Sequence, residues 1–317
     1  MFEFVTPHRL FRTQIHTLRS TLPGVLDGLE NPIHEARIAT RRIREVLPLL
    51  GDRKRKHIED LHSRFKRLGR SLGRVRDADV RIALLASLEI RMPHAAPALV
   101  VLRQQREQER LDLLRKLIKR LERLEAIRLI EMLDEHLALP GSLTRVARAG
   151  GNWRRDLRYT LTERARVTSD AINHATGVYF PNRAHAARIA IKKLRYAMEI
   201  ANETGAADRS AAIRELKKAQ DLLGELHDRQ ELIDSLTETT GTQTSAREEP
   251  ESVSQVPLLK QVIDAECRDL HGRYLSRRGR MLEICEREST AVARSRSRAL
   301  LTAGALAVST GLYARLR

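Results

Sequence analysis

"HEARIATRRIREVL" at residues 34–47 returns as a near copy, "HAARIAIKKLRYAM", at residues 185–198, an offset of 185 − 34 = 151 positions. Both segments place apolar residues every three or four positions, the period of an amphipathic helix. On a helical wheel advancing about 100° per residue, His34, Arg37, Arg41 and Arg44 share an arc of roughly 80°. Ala36, Ala39, Ile43, Val46 and Leu47 occupy the opposite side. The copy repeats the division, with His185, Arg188, Lys192 and Arg195 on the stripe and Ala190, Leu194, Ala197 and Met198 on the apolar side. Arg42 and Lys193 lie together beyond the other flank of each stripe.

A solvated helix face usually alternates signs, because pairs at i,i+4 are stabilising. Neither fourteen-residue stripe carries a carboxylate within its arc. Stacked cations repel, so their co-location costs stability unless an anion neutralises them. Two copies in a pseudo-symmetric protein place the stripes around a shared basic groove.

A second pair of motifs keeps the same offset: "LGRVRD" (72–77) and "LGELHD" (223–228), with 223 − 72 = 151. The chain therefore reads as two tandem halves, 1–150 and 151–294, each of about four helices and joined near Gly150–Gly151. An apolar tail helix over 295–317 follows. Asn31 and Asn182 precede the repeated helices as expected N-caps, and Pro32 follows Asn31 at the position proline favours. The duplication also works as an internal control. Lys66 and Arg67 match Lys217 and Lys218, so their charge persists; Arg70 and Arg74 match Asp221 and Glu225, so theirs does not. Lys66, Arg67, Lys217 and Lys218 are accordingly candidate ligands, and Arg70 and Arg74 are peripheral or half-specific. The motif glycines are expected to let helices approach closely. Asp77 and Asp228 are expected to orient a neighbouring Arg or Lys, with Arg76 and His227 as lesser ligand candidates.

Composition points the same way. Lys plus Arg outnumber Asp plus Glu by 58 to 41, a net charge of +17, which suits a polyanionic partner: nucleic acid, an acidic membrane surface or a phosphate polymer. Aromatics are only 3%, too few for base stacking to dominate recognition. Helical periodicity runs through most of the chain, longest over 99–133, and no stretch alternates as a strand would, so the fold class is all-α. The Thr-, Ser- and Glu-rich segment 237–257 reads as a surface loop. Cys267 and Cys285 read as two positions of one helix, roughly 27 Å apart, too far for a disulfide. With no staple and no signal-peptide pattern at the N-terminus, a cytoplasmic location is expected. The uncharged run "ALLTAGALAVSTGLYA" (299–314) falls short of the roughly 20 apolar residues a membrane span needs.

The residues exclude other chemistries. His34 has no second ligand at i+4, there is no HExxH or CxxC, and adjacent arginines repel a cation, so no metal or other cofactor is expected. No Ser/His/Asp or Cys/His signature marks a nucleophile, so no catalytic residue is assigned. Any lattice of cations binds DNA or RNA in a salt-dependent way, which keeps a nucleic-acid-binding or nucleoid-tethering protein as the alternative.

"HEARIATRRIR", "LGRVRDADV", "HAARIAIKKLRYAME" and "LGELHD", in that order and spacing, resemble the CHAD family, the conserved-histidine α-helical domain proteins. The resemblance frames most of residues 6–290. It implies an all-helical fold of two four-helix halves around a basic central pore, binding of inorganic polyphosphate and association with polyphosphate granules. Some family members carry a fused acidic catalytic barrel; no strand-rich ExExK module occurs here, so that activity is not implied. Polyphosphate suits the residues. It offers a negative charge on every phosphate and no base to read, and arginine's planar fork pairs with phosphate oxygens while lysine acts as a point charge. Arginine neighbours disfavour protonation of His34 and His185 while a bound phosphate would favour it, and in either form both are expected to donate a hydrogen bond to phosphate.

Overall fold

A computed structural model describes residues 5–50, 55–123, 125–138, 153–205, 208–243 and 256–290. Among these residues the regular structure is entirely helical. In chain order the helices are α1 (Pro7–Leu26), α2 (Glu30–Val46), α3 (Arg55–Arg91), α4 (Ala96–Arg123), α5 (Ala126–Ala138), α6 (Trp153–His174), α7 (Pro181–Glu203), α8 (Ser210–Gln243), α9 (Val256–Leu275) and α10 (278–290).

The starts of α2 and α7 differ from the expected caps. Leu29 and Phe180 take the N-cap positions with no side-chain cap bond, and Asn31 and Asn182 lie inside the first turn. Proline provides the start instead. Pro181 opens α7, and Pro32 sits in the first turn of α2, where the N–H it lacks would have no intrahelical partner. At α1, Thr6 is a true cap, its Oγ1 accepting from the Arg9 N–H at 3.3 Å.

Among the described residues, five helices lie on each side of residues 139–152. The long periodic run over 99–133 breaks at Glu125, which adopts a left-handed φ of 44°. Cys267 and Cys285, both buried and free, fall on α9 and α10 rather than on one helix, because the chain turns at Ser276–Arg277. These two breaks keep the repeat offset, since 276 − 125 = 151. Helix α8 also extends through Gln243 into the expected loop; residues 244–255 lie outside the described residues, as does the tail 295–317. No single described helix is long and apolar enough to cross a membrane.

Consecutive helices pack as neighbours. The contacts α1–α2, α2–α3 and α3–α4 are matched by α6–α7, α7–α8 and α8–α9, while α5 lies against α1. The apolar faces of α2 and α7 do what their periodicity promised. Ala36, Ala39, Ile43, Ala187, Ile191 and Leu194 are buried in one continuous core that draws on both sides of the chain. Burying a residue such as Ile43 fully stabilises by about 1.5–3 kcal/mol. A smaller cluster joins α3 and α4 (Leu85, Leu88, Leu99) to α8 and α9 (Leu236, Leu259, Ile263). Ion pairs also join the two sides: Arg164 of α6 to Glu45 of α2 at 2.5 Å, and Arg81 of α3 to Glu231 of α8 at 2.8 Å.

The α1–α2 turn depends on glycine. Gly28 has φ +73°, its carbonyl accepts from Arg110 Nη2 at 2.8 Å, and an added Cβ would lie 2.5 Å from Leu114 Cδ2. Gly28→Ala is expected to cost about 2 kcal/mol, from left-handed strain and displacement of Leu114. Chemical denaturation checks this, and an unchanged midpoint would show that the turn relaxes freely.

Candidate anion site between the repeated helices

Helices α2 and α7 touch each other directly, and their polar stripes converge. The positive charges of Arg37, Arg188 and Arg195 all act on Arg41, and those of Arg41, Arg188 and Arg37 all act on Lys192. Arg37, Arg41, Arg188 and Lys192 therefore form one cluster drawn from both helices. Burial first, and then these like charges, push Arg41 down to about 9 and Lys192 down to about 8. Both remain cationic at neutral pH.

Not every stripe cation is equally free. Asp77 holds Arg37 at 3.1 Å, as expected of that aspartate. Arg195 is tied to Glu199, donates through Nε to Gln220 Oε1 at 3.1 Å, and lies over the Tyr196 ring at 4.5 Å. Arg41 lies 4.9 Å from the same ring centroid, so one buried tyrosine carries two guanidinium groups. Each such contact stabilises by roughly 0.5–2 kcal/mol. Arg41, Arg188 and Lys192 make no ion pair among the described residues, and Arg188 Nε is buried without a hydrogen-bond partner.

The motif glycines serve this cluster in a way the sequence did not suggest. A Cβ on Gly73 would meet Arg37 Nε at 3.6 Å, and one on Gly224 would meet Arg188 Nε at 3.7 Å. What lies over each glycine is an arginine head group, not a helix backbone. Close helix approach occurs one turn earlier, at Gly69, where Thr40 Oγ1 would be 3.2 Å away. Asp228 is the counterpart of Asp77 and sits in the field of Arg188, but the two form no ion pair. Burial raises the Asp228 carboxyl to about 6 against the pull of Arg188.

The histidines sit at one end of the cluster. Burial lowers His34, with Arg76, Arg37 and Arg41 adding to the effect. Burial likewise lowers His185, helped by Arg188 and Lys192. Both rings are thus neutral at pH 7. His185 packs against His227 with ring centroids 4.8 Å apart and planes tilted by 52°; His227 approaches Glu231 at 3.6 Å, and among the described residues the buried His185 Nδ1 has no partner.

Other candidates are placed differently. Arg42 is held by Glu199 at 3.8 Å and Glu203 at 3.4 Å, so it ties α2 to α7. Arg76 is paired with Glu30 and lies 3.8 Å from Asp79. Lys66, Arg67, Lys193 and Lys217 are exposed, and Lys218 lines a separate cleft with Asp221, Glu225 and Arg277. Arg44 continues the track on α2, its Nε buried without a partner. Burial lowers it and Arg70 adds to the effect. Arg44 and Lys66 both act on His62. Arg70, judged peripheral because its match is Asp221, therefore belongs to this end of the track. Tyr196 was also missed; its position immediately after Arg195 was the available signal.

Among the described residues no group of three or more His, Cys, Asp or Glu could hold a metal ion. The arrangement is suited to holding an extended, multiply charged anion.

A family model for the CHAD domain matches residues 9–237. The crystal structure of the CHAD domain from the plant Ricinus communis is 20% identical, with a TM-score of 0.56, covering 83% of this chain and 90% of that one. PptA from Streptomyces chartreusis is 15% identical, with a TM-score of 0.63, covering 86% of this chain and 97% of that one. No curated protein matches the chain. At these identities the structural likenesses concern the fold alone.

Proposed function

This chain belongs to the CHAD domain family, and from that premise we propose that it binds inorganic polyphosphate, without catalysis, in the groove between α2 and α7. The observation that carries the proposal is the cluster of Arg41, Arg188 and Lys192, half-buried together and lacking any ion-pair partner among the described residues. Such a cluster is costly in the free protein and becomes favourable when an anion enters. Arg37, held by Asp77, and the neutral His34 and His185 complete the groove with N–H donors. Arg44, Lys66 and Arg70 extend the cationic track, so a polymer chain longer than the cluster finds further contacts along α2 and α3. Association with polyphosphate granules follows from such binding, because a granule presents many chains to each groove.

Phosphate chain and nucleic-acid backbone share charge, so competition decides between them. At matched salt the protein is expected to prefer long-chain polyphosphate over duplex DNA, measured by displacement of a labelled duplex. The reverse ordering would transfer the function to nucleic acid.

A further inference from the structure

A second concentration of unpaired cations lies outside the α2–α7 groove. Arg74 of α3 and Lys116, Lys119, Arg120 and Arg123 of α4 line a cleft of about 240 Å³, floored by Leu113 and Leu117, with Ser71 as its neutral polar group. Among the described residues no carboxylate lines it. The four α4 residues follow the spacing i, i+3, i+4, i+7, which places them on one helix face over roughly 10 Å. Glu122, the sole acid between residues 116 and 123, falls off that face by about 60° or more.

The rest of α4 supplies a comparison. Arg103 is paired with Glu89 and Glu107, Arg106 with Glu109, Arg110 with Asp79, and Arg115 with Asp112. Earlier in the helix each of these arginines has its carboxylate. Over the last two turns none of the four cations makes an ion pair among the described residues. The helix dipole favours cations only within the last turn. It does not account for Lys116, nor for Arg74 on another helix. The second side of the chain offers a further contrast. Its related cleft is lined by Lys218, Asp221, Glu225, Arg273 and Arg277, where two acids offset most of the charge of three cations. The replacement of Arg74 by Glu225 across the repeat thus has a physical meaning: only one cleft is built for an anion.

We propose that the α3–α4 cleft is a second anion site, for a short phosphate chain or a terminal oligophosphate group. Five cations in so small a space call for several negative charges in a compact ligand, and arginine and lysine together meet phosphate oxygens well. Among the described residues no aromatic side chain lines the cleft to offer a platform for a nucleotide base. A volume of about 240 Å³ suits a compact ligand of a few phosphate groups. The inference stands on this cleft and is independent of the α2–α7 groove.

The test is calorimetric titration of the full chain with tripolyphosphate. Wild type is expected to show two classes of site. The variant Lys116→Gln/Lys119→Gln/Arg120→Gln/Arg123→Gln is expected to lose one class, and Arg41→Gln/Lys192→Gln the other. A control neutralising the exposed Arg12, Arg214, Arg268 and Arg280 is expected to keep both. If the α4 variant behaves as the control does, or loses duplex DNA binding while keeping tripolyphosphate binding unchanged, the proposal is overturned. Acetylation footprinting of unmodified protein gives a second reading that needs no variant. Tripolyphosphate is expected to protect Lys116 and Lys119 but not the exposed Lys56, and equal labelling with and without the ligand would contradict the site.

Discussion

Changing Arg37, Arg41, Arg188 and Lys192 together to glutamate is expected to abolish binding of long-chain polyphosphate while leaving helicity intact. The magnitude follows from the nature of the contacts. Hydrogen bonds to charged groups contribute about 1.5–3 kcal/mol each. Losing even two of four therefore weakens binding by more than about 100-fold, before the new repulsion is counted. These residues come from two helices of the repeated pair, so the loss tests the joint groove rather than either stripe alone. Glutamates placed beside Asp77 and Asp228 also risk disturbing the fold, and Arg41→Gln/Lys192→Gln is the companion that adds no negative charge, with an expected weakening of about 100-fold or more. Circular dichroism checks the fold and a retardation assay checks binding. Unchanged affinity in a folded variant would remove the site.

The second large effect concerns Lys192 and has opposite signs for stability and for binding. Burial among Arg41, Arg188 and Arg37 lowers its ammonium from 10.5 to about 8. In the unfolded chain the same group keeps its ordinary value. Below pH 8 it is charged in both states, and the folded state bears the full cost of holding it. Between pH 8 and 10.5 the folded form sheds the proton while the unfolded form keeps it, so the cost declines and stability rises with pH through that window. Lys192→Met removes the charge and keeps the length of the side chain. At pH 7, without ligand, it is expected to stabilise the protein by about 1–2 kcal/mol, after discounting for partial solvent access, and to raise Tm by a few degrees. The same variant is expected to bind polyphosphate more weakly. Bound phosphate restores the ammonium's proton, so wild-type affinity should fall as pH rises above 8, by up to about tenfold per unit, and the methionine variant should lose that dependence. A lower Tm for Lys192→Met in the absence of ligand would show that Lys192 is satisfied within the protein.

Much of this architecture was visible in the sequence because helical period and repeat offset are local, countable signals. The apolar faces of α2 and α7 are buried as their spacing required, and their cationic stripes meet. Features set by tertiary context were not visible. Asn31 and Asn182 resembled caps, yet proline in the first turn fixed where each helix begins. The break at Glu125 carries no proline or glycine, so nothing in the composition marked it, although the repeat could have paired it with the turn at Ser276. The motif glycines suggested helix contact, and the partner at Gly73 and Gly224 is an arginine head group that only packing reveals. Glu199 was within reach of inspection. It lies one turn beyond Arg195 and two beyond Lys192 on the same arc, and it neutralises Arg195 and helps to hold Arg42. Extending the wheel by that turn would have separated the paired cations from Arg41, Arg188 and Lys192. The asymmetry of Arg70 and Arg74 against Asp221 and Glu225 was visible and left them peripheral or specific to one half, because one alignment of a repeat cannot show whether a residue serves a neighbouring helix.

The most direct measurement is a crystal structure of the chain grown with short-chain polyphosphate. Phosphate density is expected along the α2–α7 groove, with oxygens within hydrogen-bonding distance of Arg41, Arg188 and Lys192. Density confined to other surfaces, with those three side chains still unpartnered, would contradict the claim that the duplicated helix exists to hold this anion.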